Sequence, residues 1–298
     1  MSDDVSQKSL FGDDEAVELK SKPSSGQYNL RYDDKHKVSP GDIWQINKHR
    51  LMCGDSRKSD QIEKLCEHKS VQLIHSDPPY NVGVQPAGDW GGNSEQRGRK
   101  KADAEIAKER PLQGDFISAQ DFNERLIWWL RGMGYVLDPG RSFYIWGGFS
   151  NLGNYPQCIR TAWLHWHQLI IWVKSRKVLT RLDFMGQHEI CFYGWKAKKG
   201  YTHQCSASGI SDVWQEDNVP GPHMVHLTEK PVSIPKRAIE YSSDKGEIVL
   251  DSFGGSGSTL IAAEETGRQA RLMEIDVTYC EVILARCHYM GMDIKKVD

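Results

Sequence analysis

The stretch GEIVLDSFGGSGSTLIAAEETGRQARLMEID, residues 246 to 276, contains the pattern that decides the fold of this chain. It is typical of a buried strand followed by a glycine turn, a helix and a second strand. The turn holds three residues that let a backbone bend sharply and approach a ligand closely: Gly254, Gly255 and Gly257. The helix begins near Ser258 and Thr259, so the positive end of its dipole faces the turn. The pattern therefore predicts a nucleoside-binding site at this turn.

Both strands of this unit end in acidic residues. Asp251 lies at the tip of the first strand, where an acid suits a cationic cofactor better than a pyrophosphate. Glu274 ends the second strand about twenty residues after the turn, where an acid accepts hydrogen bonds from ribose hydroxyls. A dinucleotide oxidoreductase would use a similar unit. However, Leu260 replaces the third glycine of G-x-G-x-x-G, and the unit lies near the C-terminus, so both features argue against that class.

Outward from this unit, apolar runs alternate with amphipathic stretches. Seven strands are predicted at residues 50–53, 71–76, 142–146, 168–173, 189–193, 248–251 and 271–275. Helices are predicted at 122–131, 231–241, 259–266 and 277–290. Such alternation predicts an α/β fold with a mostly parallel sheet and helices on both faces.

A second informative stretch is LIHSDPPYNVGV, residues 73 to 84. The apolar run is typical of a buried strand, so the tetrad Asp77-Pro78-Pro79-Tyr80 falls at the end of that strand. Open α/β sheets keep their sites at this edge. A tight surface turn is the alternative interpretation of these four residues taken alone.

Taken together, DPPY (77–80) and DSFGGSGST (251–259) resemble motifs of the amino-methyltransferases of DNA, which use S-adenosylmethionine. Because the tetrad precedes the glycine loop, the order looks like that of the permuted β group. Three further segments are similar to family segments: HRLMCGDS (49–56), HQLIIWVKSR (167–176) and HLTEKPVSIPKRAIEYSS (226–243). The resemblance covers residues 41 to 290. It implies a Rossmann-like methyltransferase fold with a seven-stranded sheet.

The resemblance also implies the roles of individual residues. The catalytic residues would be Asp77, Pro78, Pro79 and Tyr80. The residues that bind S-adenosylmethionine would be Asp55 (at its adenine), Asp251, Phe253, Gly254, Gly255, Gly257, Ser258, Thr259, Glu274 and Lys230.

The expected chemistry explains the tetrad. An amine on an aromatic base is a poor nucleophile, because its lone pair is delocalised into the ring. If the Asp77 carboxylate and the Pro78 carbonyl accept hydrogen bonds from the two N–H groups, the nitrogen can become tetrahedral as it attacks. The prolines fix the backbone and remove competing N–H donors. A duplex base must first be flipped out, at a cost of a few kcal/mol, and stacking on Tyr80 would offset part of that cost.

The expected base follows from a correlation within the family that the sequence resembles. An Asp at the first position of the tetrad usually accompanies transfer to adenine N6, and a Ser usually accompanies transfer to cytosine N4. Asn81 also resembles the adenine group, although it would equally suit the cap of a turn. We therefore expect a site-specific DNA adenine-N6 methyltransferase. Cytosine-N4 transfer, methylation of RNA and a non-catalytic DNA-binding regulator are the alternatives.

Recognition of double-stranded DNA is expected from a basic segment, although the net charge of the chain is −2. The resemblance to the β group implies a target-recognition region over 174–222. A mobile loop is predicted over 85–115, either as a DNA clamp that shares the work or as a lid. The candidate phosphate contacts are Lys174, Arg176, Lys177, Arg181, Arg97 and Arg99. The candidate base contacts are Trp195, Tyr201, His203 and Gln204.

The remaining expectations concern organisation. Residues 1–40 are polar and acidic and are predicted to form a disordered arm; residues 41–298 would form the catalytic domain, with its cofactor-binding half at 226–290. No apolar run is long enough for a membrane span, and the start does not resemble a signal peptide, so a cytoplasmic protein is expected. The resemblance implies a bacterial or phage origin. Cysteine and histidine spacings match no metal motif, and no metal is expected. A homodimer and a restriction endonuclease are possible partners.

Overall fold

A computed structural model describes residues 36–81, 117–178, 183–219 and 229–298. The strands are β1 (Ile43–Ile46), β2 (His49–Cys53), β3 (Val71–Ser76), β4 (Leu137–Gly147), β5 (His165–Val178), β6 (Gly186–Trp195), β7 (Val213–Glu216), β8 (Ile248–Asp251), β9 (Gln269–Glu274) and β10 (Ile294–Lys296). The helices are α1 (Ser59–Leu65), α2 (Ala119–Val136), α3 (Tyr155–Thr161), α4 (Ser233–Ser242), α5 (Ser258–Thr266) and α6 (Val277–Tyr289). The predicted loop at 85–115 and most of the predicted arm at 1–40 lie outside the described residues.

The described strands form one sheet in the order β10-β1-β2-β9-β8-β3-β4-β6-β5-β7. The pairs β2·β9, β9·β8, β8·β3 and β3·β4 are parallel, and β6 is antiparallel to both of its neighbours. The prediction of a mostly parallel sheet is confirmed. The seven predicted strands are all present, but the expected total of seven is too low, because the described sheet has ten strands. The additional strands β1, β7 and β10 have three or four residues each and lie at the two ends of the sheet.

Helices cover both faces of the sheet, as predicted. Alternate residues of a strand point to opposite faces, so Phe143 and Ile145 of β4 pack into one core and Tyr144 and Trp146 into the other. The first core is completed by α1, α2 and α3, and the second by α4, α5 and α6. Burial on both faces explains why these strands are nearly continuous apolar runs in the sequence.

The topology determines where a ligand can bind. From β8 the chain continues through α5 to β9, on one side, whereas from β3 it continues through α2 to β4, on the other. Since β8 and β3 are neighbours, their carboxyl ends diverge and leave a crevice at the switch point, which is the usual ligand site of an open α/β sheet. No described helix is long and apolar enough to span a membrane.

Candidate active site

The tetrad begins directly after β3, at the switch point, and its acid is the centre of a polar cluster. Tyr80 donates a hydrogen bond of 2.5 Å to Asp77 Oδ1, and Lys230 Nζ donates to Asp77 Oδ2. The same ammonium lies 2.9 Å from the Tyr80 hydroxyl and 2.9 Å from Glu189 Oε2. An ammonium has three N–H donors, so Asp77, Tyr80 and Glu189 satisfy all of them. The cluster holds Asp77 in a fixed position.

A second lysine completes the charge balance of this cluster. Lys174 Nζ lies 2.6 Å from Glu189 Oε1, so the two oxygens of Glu189 contact different lysines. The side chains of Lys230 and Lys174 are only 5% and 13% exposed, which makes the pairing of charges necessary. Two carboxylates and two ammonium groups therefore neutralise one another next to the tetrad.

Burial and these charges shift the ionisation of the cluster. Burial raises the pKa of Asp77, and the attraction of Lys230 only partly opposes this effect. Burial also disfavours the charged form of Glu189, but Lys230 and Lys174 outweigh it and lower its pKa to about 2. Burial tends to lower the pKa of Lys230, yet Asp77 and Glu189 together raise it above its ordinary value. At neutral pH Lys230 and Glu189 are thus both charged.

A chain of buried hydrogen bonds connects the tetrad strand to the glycine-loop strand. Trp146 Nε1 donates to His75 Nε2 at 3.0 Å, so His75 carries its proton on Nδ1, which lies 3.2 Å from Thr259 Oγ1. Thr259 in turn donates to Asp251 Oδ2 at 2.6 Å, and Ser76 donates to Asp251 Oδ1 at 3.1 Å. Burial, reinforced by the positive charge of Lys230, lowers the pKa of His75 to about 3 and keeps it neutral. These bonds fix the two halves of the site relative to each other.

The glycine loop has the geometry that the sequence predicts. Gly255 and Gly257 adopt positive φ angles of 49° and 80°, a region that residues with a side chain rarely adopt. At Gly254 an added Cβ would lie 3.3 Å from the Met273 carbonyl oxygen and from Ile283, so the loop packs closely on β9 and α6. Ser258 and Thr259 open α5, whose N-cap is Gly257.

Glu274 fixes the shape of this loop. Its Oε2 accepts a hydrogen bond of 2.8 Å from the Gly255 N–H, and its Oε1 accepts one of 2.9 Å from the Asp276 N–H. Burial raises the pKa of Glu274 despite these bonds. Asp251, at the end of β8, is buried as well, and burial raises its pKa to about 7 against the hydrogen bonds from Thr259, Phe253 and Ser76.

The structure places three other predicted cofactor residues as follows. Asp55 follows β2 and is held by Arg57, whose Nη2 lies 2.6 Å from Asp55 Oδ2. Partial burial raises the pKa of Asp55, but the hydrogen bonds from the Arg57 side chain and backbone lower it below its usual value. Phe253 packs edge-on against Trp129, with 5.0 Å between ring centroids. Lys230 lies against Asp77 and not at the glycine loop, because the buried pair Glu229–Arg286 fixes the chain just before it.

The loop also fits S-adenosylmethionine chemically. Acidic side chains end the strands β8 and β9, where a sulfonium and a ribose would both find acceptors. Ser252 lies between Asp251 and the glycine turn, and its buried Oγ has no hydrogen-bond partner among the described residues. An unsatisfied buried hydroxyl is costly, so its presence here suits a site that a polar ligand completes.

The candidate DNA-contacting residues form a two-stranded extension. β4 ends opposite Ile190 and β7 ends opposite Lys174, whereas β5 and β6 continue to the pair Val178 and Gly186. At about 3.3 Å per residue, the extension reaches roughly 13 Å beyond Lys174. It exposes Arg176 and Lys177, and its end exposes Phe184 (87%) and Met185 (55%). The other predicted phosphate contacts, Arg181, Arg97 and Arg99, lie outside the described residues.

Two parts of the predicted recognition region must be corrected. Lys174 is not available to phosphates, because it is paired with Glu189 inside the site. Trp195 ends β6 at the opposite edge of the sheet, about 20 Å from Glu189 along the strand. The predicted base contacts there are packed together: the rings of Trp195 and His203 stack at 4.0 Å, and the Gln204 N–H donates to the Gly140 carbonyl. Tyr201 lies in the same loop. These four residues are therefore far from Asp77.

Sequence reasoning missed Glu189, His75 and Trp146. Glu189 and Trp146 lie in apolar strands with no motif around them, so only strand pairing brings them to the tetrad. His75 lies in β3, two residues before the tetrad, and its role shows only in its contacts with Trp146 and Thr259. The one available signal was a charged residue, Glu189, inside a strand that the pattern predicts to be buried; such charges need partners.

The fold and the site together define a structural class: the chain has a Rossmann-like methyltransferase fold, with a tetrad that begins with an acid and a glycine loop on neighbouring strands. The solved structure of M1.HpyAVI with S-adenosylmethionine has the same fold, with a TM-score of 0.57 and 16% identity over 79% of this chain and 97% of that one.

The sequence then identifies the family. The model described as DNA methylase, which unites N6 and N4 methyltransferases, matches residues 71–285, and the chain belongs to this family. It is 23% identical to the type II methyltransferase M.HpaI of Haemophilus parainfluenzae, over 80% of this chain and 73% of M.HpaI. It is 25% identical to M.HinfI of Haemophilus influenzae, over 76% of this chain and 66% of M.HinfI. The chain is an S-adenosylmethionine-dependent DNA methyltransferase.

Proposed function

We propose that this chain methylates the exocyclic N6 amine of adenine in double-stranded DNA, at a specific sequence. The observation that carries the proposal is Asp77, a carboxylate held at the switch point as the first residue of the tetrad. Both the adenine and the cytosine amine carry two protons, so the preference for adenine rests on the resemblance of DPPY to adenine-specific enzymes and not on hydrogen bonding. Cytosine N4 is the second candidate, because the family includes both activities.

In the proposed mechanism S-adenosylmethionine, when bound, supplies a methyl group on a sulfonium that leaves as a neutral thioether. Asp77 and the Pro78 carbonyl accept hydrogen bonds from the two amine protons, which directs the nitrogen lone pair towards the methyl carbon. The carbon–nitrogen bond forms as the carbon–sulfur bond breaks, and sulfur keeps the electron pair. Positive charge then develops on nitrogen, where the Asp77 carboxylate stabilises it until one amine proton leaves to water.

Tyr80 would provide the surface on which the flipped base stacks. Its hydroxyl is fixed by Asp77 and Lys230, and its backbone carbonyl accepts a hydrogen bond of 2.6 Å from Asn151. Gly148 leaves room for it, since an added Cβ there would lie 2.6 Å from Tyr80 Cβ. A ring held in this way loses little entropy when a base stacks on it, so stacking offsets part of the cost of flipping.

DNA would lie across the extension of β5 and β6. Arg176 and Lys177 can contact phosphates there, and Lys174, at the base of the extension, connects it to Glu189 and hence to Asp77. The exposed Phe184 and Met185 form an apolar end next to these cations, a combination typical of a surface that enters or lines a groove.

The proposal is tested by expressing the chain, and its D77A variant, in a host without DNA methylation. Mass spectrometry of the nucleosides should find N6-methyladenine only with the wild type, and mapping its context then gives the target sequence. N4-methylcytosine would instead establish the second candidate. Methylation of RNA without methylation of DNA would contradict both.

A further inference from the structure

The acceptor that the target amine requires is already occupied in the free protein. Both oxygens of Asp77 accept hydrogen bonds, one from Tyr80 and the other from Lys230. Lys230 offers what the target offers, namely a nitrogen that donates to the Asp77 carboxylate beside the Tyr80 ring; its Nζ lies 5.4 Å from the centroid of that ring. Each oxygen could accept a further hydrogen bond, but a base amine that approaches Asp77 over the Tyr80 ring meets the Lys230 ammonium, which then has to move.

We propose that Lys230 is a displaceable substitute for the target amine, and that Glu189 is the acceptor that holds Lys230 when the base enters. Glu189 is thus a positioning residue, which acts on the substrate through Lys230 and Asp77. This inference rests on the proposed function, because it assigns a role in admitting an amine to that same site.

The contacts of Lys230 show why it can leave Asp77 at a small cost in free energy. Its Nζ already lies 2.9 Å from Glu189 Oε2 and 2.9 Å from the Tyr80 hydroxyl, so on displacement it gives up one of three partners. Trp146, whose ring centroid is 5.1 Å from Nζ, continues to stabilise the cation. A buried ammonium with no alternative carboxylate would have to stay on Asp77, because losing its partner would leave an unpaired buried charge.

The alternative, movement of Tyr80, is disfavoured by the surrounding structure. The backbone of Tyr80 is held by Asn151 and packed against Gly148, whereas Lys230 has a flexible four-carbon side chain. The main chain at Lys230 is nevertheless fixed, because the adjacent Glu229 pairs with Arg286, which also donates to the Ser256 carbonyl of the glycine loop. Only the end of the Lys230 side chain needs to move.

The net charge of the cluster gives a test that distinguishes the proposed role of Glu189 from a purely structural one. Among Asp77, Glu189, Lys230 and Lys174, the wild type is neutral; E189Q leaves two cations and only one anion, so Lys230 stays on Asp77. K230M leaves Asp77 and Glu189 with one cation, which raises the pKa of Asp77 further. The double variant E189Q/K230M is again neutral, and Asp77 Oδ2, the oxygen that Lys230 occupied, is free.

The experiment measures methyl transfer from radiolabelled S-adenosylmethionine to genomic DNA of a methylation-free host, with the full chain and each variant. We expect E189Q to lower kcat/KM at least about tenfold, mainly by raising KM for DNA, and E189D to remain within about threefold of the wild type.

We expect the kcat/KM of the double variant to exceed that of E189Q by at least about threefold, a reversal that marks direct coupling. K230M should shift the acidic limb of the pH–rate profile to higher pH. A double variant no better than E189Q would overturn the proposal. Calorimetric affinity for S-adenosylmethionine, unchanged in E189Q and E189D, and a circular dichroism spectrum unchanged in the two variants that carry K230M, control for folding.

A second measurement separates failure of this inference from failure of the proposed function. The Nζ resonance of Lys230 in 15N-lysine-labelled protein is assigned by its loss in K230M. With the same DNA added, we expect this resonance to shift in the wild type but not in E189Q, whether or not methyl is transferred. If the wild type methylates DNA adenine while the resonance is unchanged, the role of Lys230 is wrong and the proposed function stands. If the resonance shifts but no DNA base is methylated, the proposed function fails and the displacement stands.

Discussion

At the scale of single residues, Asp77 meets two conflicting requirements. It must be ionised to accept a hydrogen bond from the amine and to stabilise the developing positive charge, yet it must be buried to align that amine, and burial raises its pKa. The cluster partly offsets the effect of burial with a cation, Lys230, at hydrogen-bonding distance. The tetrad was predictable because its residues are consecutive in the sequence. The partners of Asp77 were not, because Glu189 and Lys230 come from distant parts of the chain.

The first prediction concerns Asp77. Replacing it by alanine, or by the isosteric asparagine, should lower kcat by about 10² to 10³-fold, the usual cost of removing one preorganised group that stabilises developing charge. The Kd for S-adenosylmethionine should stay within about twofold, because the Asp77 carboxylate is hydrogen-bonded to Tyr80 and Lys230 and not to the glycine loop. Single-turnover kinetics and calorimetry measure the two effects. Loss of cofactor binding together with catalysis would contradict the role assigned to Asp77.

The second prediction concerns Glu274. Its carboxylate fixes the Gly255 and Asp276 N–H groups, so E274A should loosen the loop and raise the Kd for S-adenosylmethionine at least about tenfold, or 1.4 kcal/mol. Glu265, an exposed acid on α5, provides the matched control, and E265A should leave the Kd unchanged. An unchanged Kd in E274A would assign the ribose to another acid.

At the scale of elements, the basic residues between Lys174 and Lys199 lie at two opposite edges of the sheet. Arg176 and Lys177 lie on the extension of β5 and β6, next to the tetrad, whereas Lys198 and Lys199 follow β6 at the opposite edge of the sheet. The sequence groups these lysines because they are close along the chain. Antiparallel pairing of β5 and β6 separates them, and that pairing cannot be read from composition.

This separation supplies the third prediction. Because each lost phosphate contact lowers the salt dependence of binding, the double variant R176A/K177A should reduce the slope of log K against log salt by about 2. The matched variant K198A/K199A should leave the slope unchanged. Fluorescence anisotropy with labelled duplex DNA, across a range of salt concentrations, measures both. The opposite pattern would place DNA on the other edge of the sheet.

The sequence predicts strands and helices correctly where the pattern of apolar residues is strong. All seven predicted strands exist, because each contains a run of apolar residues. In β3, β4, β8 and β9 these residues are buried on both faces of the sheet, whereas in β5 only alternate residues, Ile170 and Trp172, are fully buried. The missed elements are short: α1 and α3 have seven residues each, and β7 has four. Elements of this length have too few residues to show a period, and tertiary packing forms them.

At the scale of the whole molecule, the two halves of the site are joined through the buried, neutral His75. Its pKa in the native protein is about 3, lowered by burial and by Lys230, against about 6.5 in an unfolded chain. Between these values the unfolded chain binds one more proton than the native protein. The His75 contribution to the free energy of unfolding is therefore fully present above pH 6.5 and is lost as the pH falls.

The fourth prediction follows from this linkage. The difference in the free energy of unfolding between the wild type and H75Q should narrow by about 1.4 kcal/mol for each pH unit below 6, because other groups cancel in the difference. Urea denaturation at pH 6 and pH 5 measures it. Replacing the exposed His165 by glutamine should change the free energy of unfolding by less than about 0.5 kcal/mol. A difference between wild type and H75Q that is independent of pH would show that His75 is not held neutral.

The proposed transfer of a methyl group to adenine N6 can be tested in one reaction in solution. Purified protein, S-adenosylmethionine with a trideuterated methyl group, and DNA from a methylation-free host are incubated, and the nucleosides are analysed by mass spectrometry. We expect trideuteromethyl label on the N6 position of deoxyadenosine, at a single sequence context, and no label with D77A. Label on deoxycytidine N4, or equal label with D77A, would contradict the proposal.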